Sequence, residues 1–363
     1  MPGRCRVGVY RVPLPPEDLT PHDLALDLLQ ADPAVEPVLL DRVHSPLAPE
    51  DISGFDALVA GPSARATFAC GAPRLLALAN RGVGMDGWDL DACTEHGVVV
   101  FNTQGSNKHG VAAAVLGYML LLSKNLVGKD RAARLGMWPH AGRVPGARQL
   151  FGHEIQGRAL GLIGFGDTAR EVVRLVAPLE MEVLAHTPRL TPERARAGGA
   201  EAVPWDVLLR RSDFVSLHCP VTEESRGMIG RRALGLMKPS AYLINVCRGA
   251  LVDQEALAEA LRERRIAGAA LDAFEPEPLP AGHPLFAVDN AILAPHCAGG
   301  SEETHRNMSV VAMRGILRLA HGELPEGIRN PQVLDGPDFR RKLASFQTPP
   351  GPADPRGAGR GSR

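Results

Sequence analysis

Aromatic side chains are scarce: 10 Phe, 3 Trp and 3 Tyr make up 4% of 363 residues. A core must therefore come from Ala, Val and Leu, within an ordinary 45% hydrophobic content. Excess charge of either sign is also missing, since 40 Lys and Arg face 41 Asp and Glu. That balance excludes the basic footprint of a nucleic-acid or anionic-membrane binder. Long apolar runs are absent too. The longest, 111–122, falls short of the roughly 20 residues of a membrane helix. The N-terminal residues carry no apolar leader and run straight into a strand-like segment at 6–10, so no secretory signal is expected. None of the six cysteines, at 5, 70, 93, 219, 247 and 297, forms a C-x-x-C pair. Neither a structural metal nor a disulfide framework is indicated, and free thiols suit a reducing cytoplasm.

What is abundant is glycine and proline, 39 and 31 residues, too few for a low-complexity chain but enough for many sharp turns. Short apolar runs alternate with helix-like stretches, the pattern of an α/β protein with parallel sheets. Strands are expected at 6–10, 57–60, 74–79, 98–101, 159–163, 182–185, 214–217, 242–246, 269–271 and 292–293, with a helix at 107–124. In open α/β sheets ligands bind at the carboxyl ends of strands, so these ends are where function is expected. From 335 to 363 the composition, with Pro349, Pro350, Gly351 and Pro352, reads as a flexible tail.

The clearest motif is Gly164-Phe165-Gly166-Asp167-Thr168-Ala169, directly after the 159–163 run. The first glycine permits a tight turn, the second lets backbone approach a pyrophosphate, and a small third residue lets the next helix pack on the sheet. Ala169, Val172, Val173, Val176 and Leu179 then fall on one helical face. The helix N-terminus offers N–H groups and positive dipole to the phosphates. A dinucleotide is the expected ligand, an empty glycine turn the competing reading.

The acid expected to hold the ribose hydroxyls of NAD is missing after the 182–185 run, which continues His186-Thr187-Pro188-Arg189. Glu182 stands at the wrong end of that strand. Thr187 and Arg189 could hydrogen-bond and pair with a 2′-phosphate, which points to NADP(H) over NAD(H). Arg189 as a plain solvated residue is the alternative.

Three further strand ends carry polar groups: Arg248 in Asn245-Val246-Cys247-Arg248-Gly249, the carboxylates of Asp272-Ala273-Phe274-Glu275-Pro276-Glu277-Pro278, and His296 after Pro295. Together with Arg81-Gly82-Val83-Gly84-Met85-Asp86, Asn102-Thr103, the glycine loop and Ser216-Leu217-His218-Cys219-Pro220, these motifs occur in the order seen in a known family. Over about 74–321 the chain resembles the D-isomer-specific 2-hydroxyacid dehydrogenases, including glyoxylate or hydroxypyruvate reductases and phosphoglycerate dehydrogenase-like members.

The resemblance implies a Rossmann dinucleotide-binding domain at 105–297, inserted in a smaller flavodoxin-like substrate domain of 1–104 and 298–334. Arg248 would bind the carboxylate and carbonyl oxygen of a 2-keto acid. His296 would be the proton donor and Glu277, rather than Glu275, its hydrogen-bond partner. Backbone N–H groups of Val83 and Gly84 would hold the substrate carboxylate. Gly164, Phe165, Gly166, Asp167, Thr168, Thr187, Arg189, Cys219, Val246, Cys247 and Asp272 would meet NAD(P)H, Asp272 at the nicotinamide carboxamide. His218 would line the cofactor cleft through its backbone, and His186 would stand near the adenosine. His22, His44, His96, His153 and His321 read as surface residues. A homodimer through the cofactor domain is implied, with the 111–122 helix part of its surface. One departure stands out: Ala113 occupies a position where the family usually carries Glu.

The leading expectation is thus a cytoplasmic NADPH-dependent reductase of small 2-keto acids, without nucleic-acid, membrane or metal partners. A dinucleotide-sensing, corepressor-like interaction protein of the same fold is the alternative, because such proteins retain the Arg–Glu–His set. Phosphite or formate oxidation is a third reading, disfavoured because formate oxidation needs no proton donor to a carbonyl.

Overall fold

The computed structural model describes residues 4–10, 24–138 and 150–346. The chain divides into two compact units, Met1–Asn107 with Ser301–Arg363, and Lys108–Gly300.

The first unit holds a five-stranded parallel sheet of β1 (Cys5–Tyr10), β2 (Val35–Leu40), β3 (Ala57–Val59), β4 (Ala77–Asn80) and β5 (Val99–Asn102). Their order, β2-β1-β3-β4-β5, is that of flavodoxin-like sheets. Alternate residues feed two cores. Val7, Val9, Val59, Ala79 and Phe101 pack on one face, Leu58, Leu78, Val98 and Val100 on the other. Burial on both faces explains why the strands read as continuous apolar runs. Helix Glu302–Ala320 brings the chain back onto the first of these cores through Ala312, Met313, Ile316 and Leu319.

Strand β2 escapes a reading by sequence because Pro37 interrupts it. Its place at the sheet edge is where a strand tolerates the missing N–H. Strand β4 begins three residues later than the 74–79 run suggests. Arg74 is diverted to a 2.8 Å ion pair with the buried Asp56, and pairing with β3 starts at Ala77.

The expectation of a flexible tail from 335 needs correction. Residues Pro337–Ala344 form a helix in which Phe339 is buried against the first core. Buried Lys342 donates from Nζ to the carbonyls of Leu75 at 2.9 Å and His96 at 2.7 Å. Two apolar contacts and one cation are too sparse a pattern to mark a helix in sequence. The Pro349–Gly361 stretch, like His22, lies outside the described residues.

The second unit carries seven parallel strands: β6 (Ala159–Ile163), β7 (Glu182–His186), β8 (Glu201–Ala202), β9 (Phe214–Leu217), β10 (Tyr242–Asn245), β11 (Gly268–Leu271) and β12 (Ala291–Leu293). The order is β12-β11-β10-β9-β6-β7-β8. The chain winds outward from β6 to β8, then returns to β9 on the other side of β6. That reversal is the topological switch point of a doubly wound Rossmann sheet, where ligands bind. Helix Lys108–Ser123 covers one face, burying Ala112, Val115, Tyr118 and Met119 in a core shared with helix Asp167–Val176. Among the described residues no single helix is long and apolar enough to cross a membrane, and all six cysteines are free.

Candidate active site

At the switch point the ends of β6 and β9 lie against each other. The His218 N–H donates to the Ile163 carbonyl at 2.7 Å. Gly164 follows with a φ of +96°, and a Cβ there would stand 2.4 Å from the His218 carbonyl oxygen. Only glycine fits this corner. Gly166 differs: a Cβ on it would meet no atom within 4 Å. The open space lies at the start of helix Asp167–Val176, whose N-cap Gly166 supplies no side-chain cap. Ala169 and Val172 anchor that helix in the core, fully buried. An uncapped ten-residue helix facing open space past a glycine suits a dinucleotide's pyrophosphate. Phe165 is buried, Thr168 partly so, and Asp167 exposed.

His186, the last residue of β7, is level with Ile163 in the sheet. Its ring bonds the Val203 carbonyl at 3.0 Å and meets Trp205 edge-on. Thr187 is half-buried and Arg189 exposed beyond it, whereas Glu182 at the far end pairs with Arg211. His218 has a different setting: its Nε2 lies 2.9 Å from the Ser216 hydroxyl, and burial lowers its pKa to about 4, leaving a neutral imidazole.

The neighbouring strands β10, β11 and β12 deliver Arg248, Glu277 and His296 in turn. Asn245, fully buried at the end of β10, spans the next turn by donating to the Arg248 carbonyl at 2.8 Å and accepting from the Cys247 N–H at 3.0 Å. Gly249 then passes so close to the Phe274 backbone that no Cβ could be accommodated. The Phe274 N–H donates to Glu277 Oε1 at 2.7 Å, and Glu277 Oε2 lies 2.7 Å from His296 Nδ1. Glu275 is taken elsewhere, by Arg226 at 2.7 Å.

Asp272, buried after β11, accepts from the N–H groups of Cys297 at 2.8 Å and Ala298 at 2.9 Å. Desolvation raises its pKa, partly offset by these bonds. The carboxylate therefore fixes the loop that carries His296. His296 itself has φ of +54°, a left-handed geometry rare for a side-chain-bearing residue. Such backbone persists where the surroundings impose it, commonly at functional sites. With Nδ1 tied to Glu277, Nε2 of the half-exposed ring remains to face a reactant.

In the first unit, the Gly82–Gly84 loop hangs from two strand-end amides. Asn80 donates to the Gly84 carbonyl at 2.5 Å and Asn102 to the Val83 carbonyl at 2.7 Å. With both carbonyls held, the N–H groups of Val83 and Gly84 have no acceptor among the described residues. Asn80 escaped the sequence reading; its signal was an amide at the end of an apolar run, just before two glycines. Among the described residues no group of three or more His, Cys, Asp or Glu could hold a metal ion.

Comparison with known proteins agrees with this architecture. Residues 116–298 match the NAD binding domain of the D-isomer specific 2-hydroxyacid dehydrogenases. The chain is 35% identical over 310 residues to a glyoxylate reductase of Korarchaeum cryptofilum, covering 85% of this chain and 90% of that protein. The TT0316 protein of Thermus thermophilus superimposes with a TM-score of 0.73 at 32% identity, over 89% of this chain and 99% of the other. The D-mandelate dehydrogenase of Rhodotorula graminis gives 0.77 at 27% identity, over 90% and 98%. The glycine loop at a Rossmann switch point and this extent of similarity lead to one assignment: the chain belongs to the D-isomer-specific 2-hydroxyacid dehydrogenase family, nicotinamide-dinucleotide oxidoreductases of 2-hydroxy and 2-keto acids.

Proposed function

We propose that this protein reduces a small 2-keto acid to the D-2-hydroxy acid with NADPH, glyoxylate or hydroxypyruvate being the substrate. The observation that carries the reading is the His296–Glu277 pair at 2.7 Å, on the turns after β12 and β11, with β11 next to β10, the strand that leads to Arg248. The relative named glyoxylate reductase supports the substrate class.

The bound dinucleotide supplies the hydride; the protein's residues do the rest. Arg248 presents a planar donor fork to the carboxylate and carbonyl oxygen of the keto acid. In the first unit, the N–H groups of Val83 and Gly84 are a donor pair suited to a carboxylate. His296 gives the proton at Nε2 to the carbonyl oxygen as its carbon is reduced, and removes it in the reverse direction. Glu277 holds Nδ1–H, fixing the orientation of the ring. Gly164, Phe165, Gly166, Asp167 and Thr168 receive the pyrophosphate, and Cys219, Val246 and Cys247 line the path towards the nicotinamide. The lone pairs of Asp272 not used by Cys297 and Ala298 accept from the carboxamide. Thr187 and Arg189 meet a 2′-phosphate, with no carboxylate after β7 to repel it.

The enzyme works as a homodimer. Leu126, Val127, Leu135, Met137, Trp138 and Phe151 of the cofactor unit are exposed, an apolar surface of the kind subunits cover. Light scattering reporting a monomer would remove this part of the proposal. For the reaction, cofactor oxidation with a panel of 2-keto acids is the test. Dinucleotide binding with no turnover on any of them would favour a sensing protein of the same fold.

A further inference from the structure

Cys219 and Cys247 each lie two residues beyond Leu217 and Asn245, the last paired residues of β9 and β10. The Cys247 thiol donates to the Leu217 carbonyl at 3.0 Å, and its sulfur accepts from the Cys219 N–H. It thus fills the place of the backbone bonds that a longer β10 would make. The Cys219 thiol points to a third sulfur, Met228 Sδ, at 3.9 Å. Met228 is held in place by its neighbours: the Gly227 N–H donates to the Ala250 carbonyl at 2.8 Å, and the Ile229 N–H to the Leu251 carbonyl at 3.0 Å. Cys219 thus links the other two: its thiol meets the Met228 thioether, and its N–H meets the Cys247 sulfur. Both cysteines keep some solvent exposure.

We propose that Cys219, Cys247 and Met228 form a binding site for a soft monovalent cation, copper(I) in particular. Thiolate and thioether ligands select such cations, and three sulfurs suit a three-coordinate d10 ion better than the four-ligand shell of zinc. Binding is a ligand exchange without electron transfer: the two S–H bonds break, two S–Cu bonds form, the thioether lone pair makes the third, and two protons leave. The product carries one net negative charge beside Arg248, whose guanidinium favours it; the same charge acts on the Cys247 thiol. Burial pushes that thiol up to about 12 and raises Cys219 too. The free site is a neutral dithiol, and its affinity rises with pH as the protons become easier to displace. The cation would occupy the ends of β9 and β10, where the proposed function puts the cofactor, so copper(I) and NADPH exclude each other. Metal binding to the cofactor-free protein does not depend on that reading.

The test is an anaerobic titration of cofactor-free protein with copper(I) against bathocuproine disulfonate, with proton release followed in weak buffer. One tight equivalent and about two protons per copper are expected. Cys219→Ser and Cys247→Ser each lower the affinity by about 100-fold or more and Met228→Leu by about tenfold, while Cys70→Ser leaves it unchanged. Copper uptake unaltered in both Cys219→Ser and Cys247→Ser, or lost only in Cys70→Ser or Cys297→Ser, overturns the site. If one serine variant fails to fold, the other and Met228→Leu decide the matter. Failure of NADPH to compete, with copper binding intact, contradicts the cofactor placement and leaves the metal site standing.

Discussion

Gly249 and Phe274 are packed backbone against backbone, so that a Cβ on Gly249 would overlap the Phe274 carbonyl carbon at 1.9 Å. This contact locks the turn bearing Arg248 to the turn bearing Glu277, since the Phe274 N–H is itself bonded to Glu277. Gly249→Ala must push the two turns apart. We expect a stability loss of about 1–3 kcal/mol from overpacking, read by thermal unfolding. A fall in kcat is expected with it, because the two turns carry Arg248 and Glu277. Unchanged turnover in Gly249→Ala would show that the two turns are not coupled.

The glycines of the dinucleotide loop separate stability from binding. Gly164 has a left-handed backbone and the His218 carbonyl 2.4 Å from a would-be Cβ, whereas Gly166 faces open space. Gly164→Ala therefore lowers the melting temperature. Gly166→Ala leaves it in place but weakens NADPH binding, because its methyl group occupies the path of the phosphates. Fluorescence titration beside calorimetry checks both.

Cofactor choice tests the β7 end. Loss of a charge-assisted contact costs about 1.5–3 kcal/mol, so Arg189→Ala should raise the KM for NADPH by about tenfold or more. The KM for NADH should not move. Equal effects on both cofactors would mean that Arg189 does not meet the 2′-phosphate.

Glu171 gives an acid-side prediction. Arg174 and His109 hold its carboxyl down at about 2, against an ordinary 4.5. A depressed folded-state pKa means a contribution that is present above the ordinary value and lost as pH falls from about 4.5 through about 2. Melting temperatures of Glu171→Gln should therefore depend less on pH across that window than those of the wild type. At neutral pH the variant should be the less stable of the two.

Much of this arrangement is legible in the sequence because it depends on local chemistry. Strands buried on both faces read as apolar runs, and Gly164, Gly166 and Ala169 announce the loop by size alone. Features set by distant partners are not legible. The family resemblance, not the residues alone, picks out Glu277 as the histidine's partner; the capture of Glu275 by Arg226, 49 residues away, has no sequence signal. The helix at Pro337–Ala344 exists because Phe339 finds a core and Lys342 finds carbonyls at Leu75 and His96. The sulfur cluster likewise joins three separate segments. Asn80 is a local case that the sequence reading misses: its amide meets the Gly84 carbonyl only four residues on, through a turn.

The central claim is that His296 passes a proton to a keto acid while the dinucleotide supplies hydride. It is tested most directly by NADPH oxidation with glyoxylate and hydroxypyruvate, comparing wild type, His296→Ala and Glu277→Gln. The account predicts turnover by the wild type and a fall in kcat of about 100- to 10,000-fold in His296→Ala. Glu277→Gln should show a smaller fall, and NADPH affinity should be retained in both variants. Wild-type-like turnover in His296→Ala would contradict it.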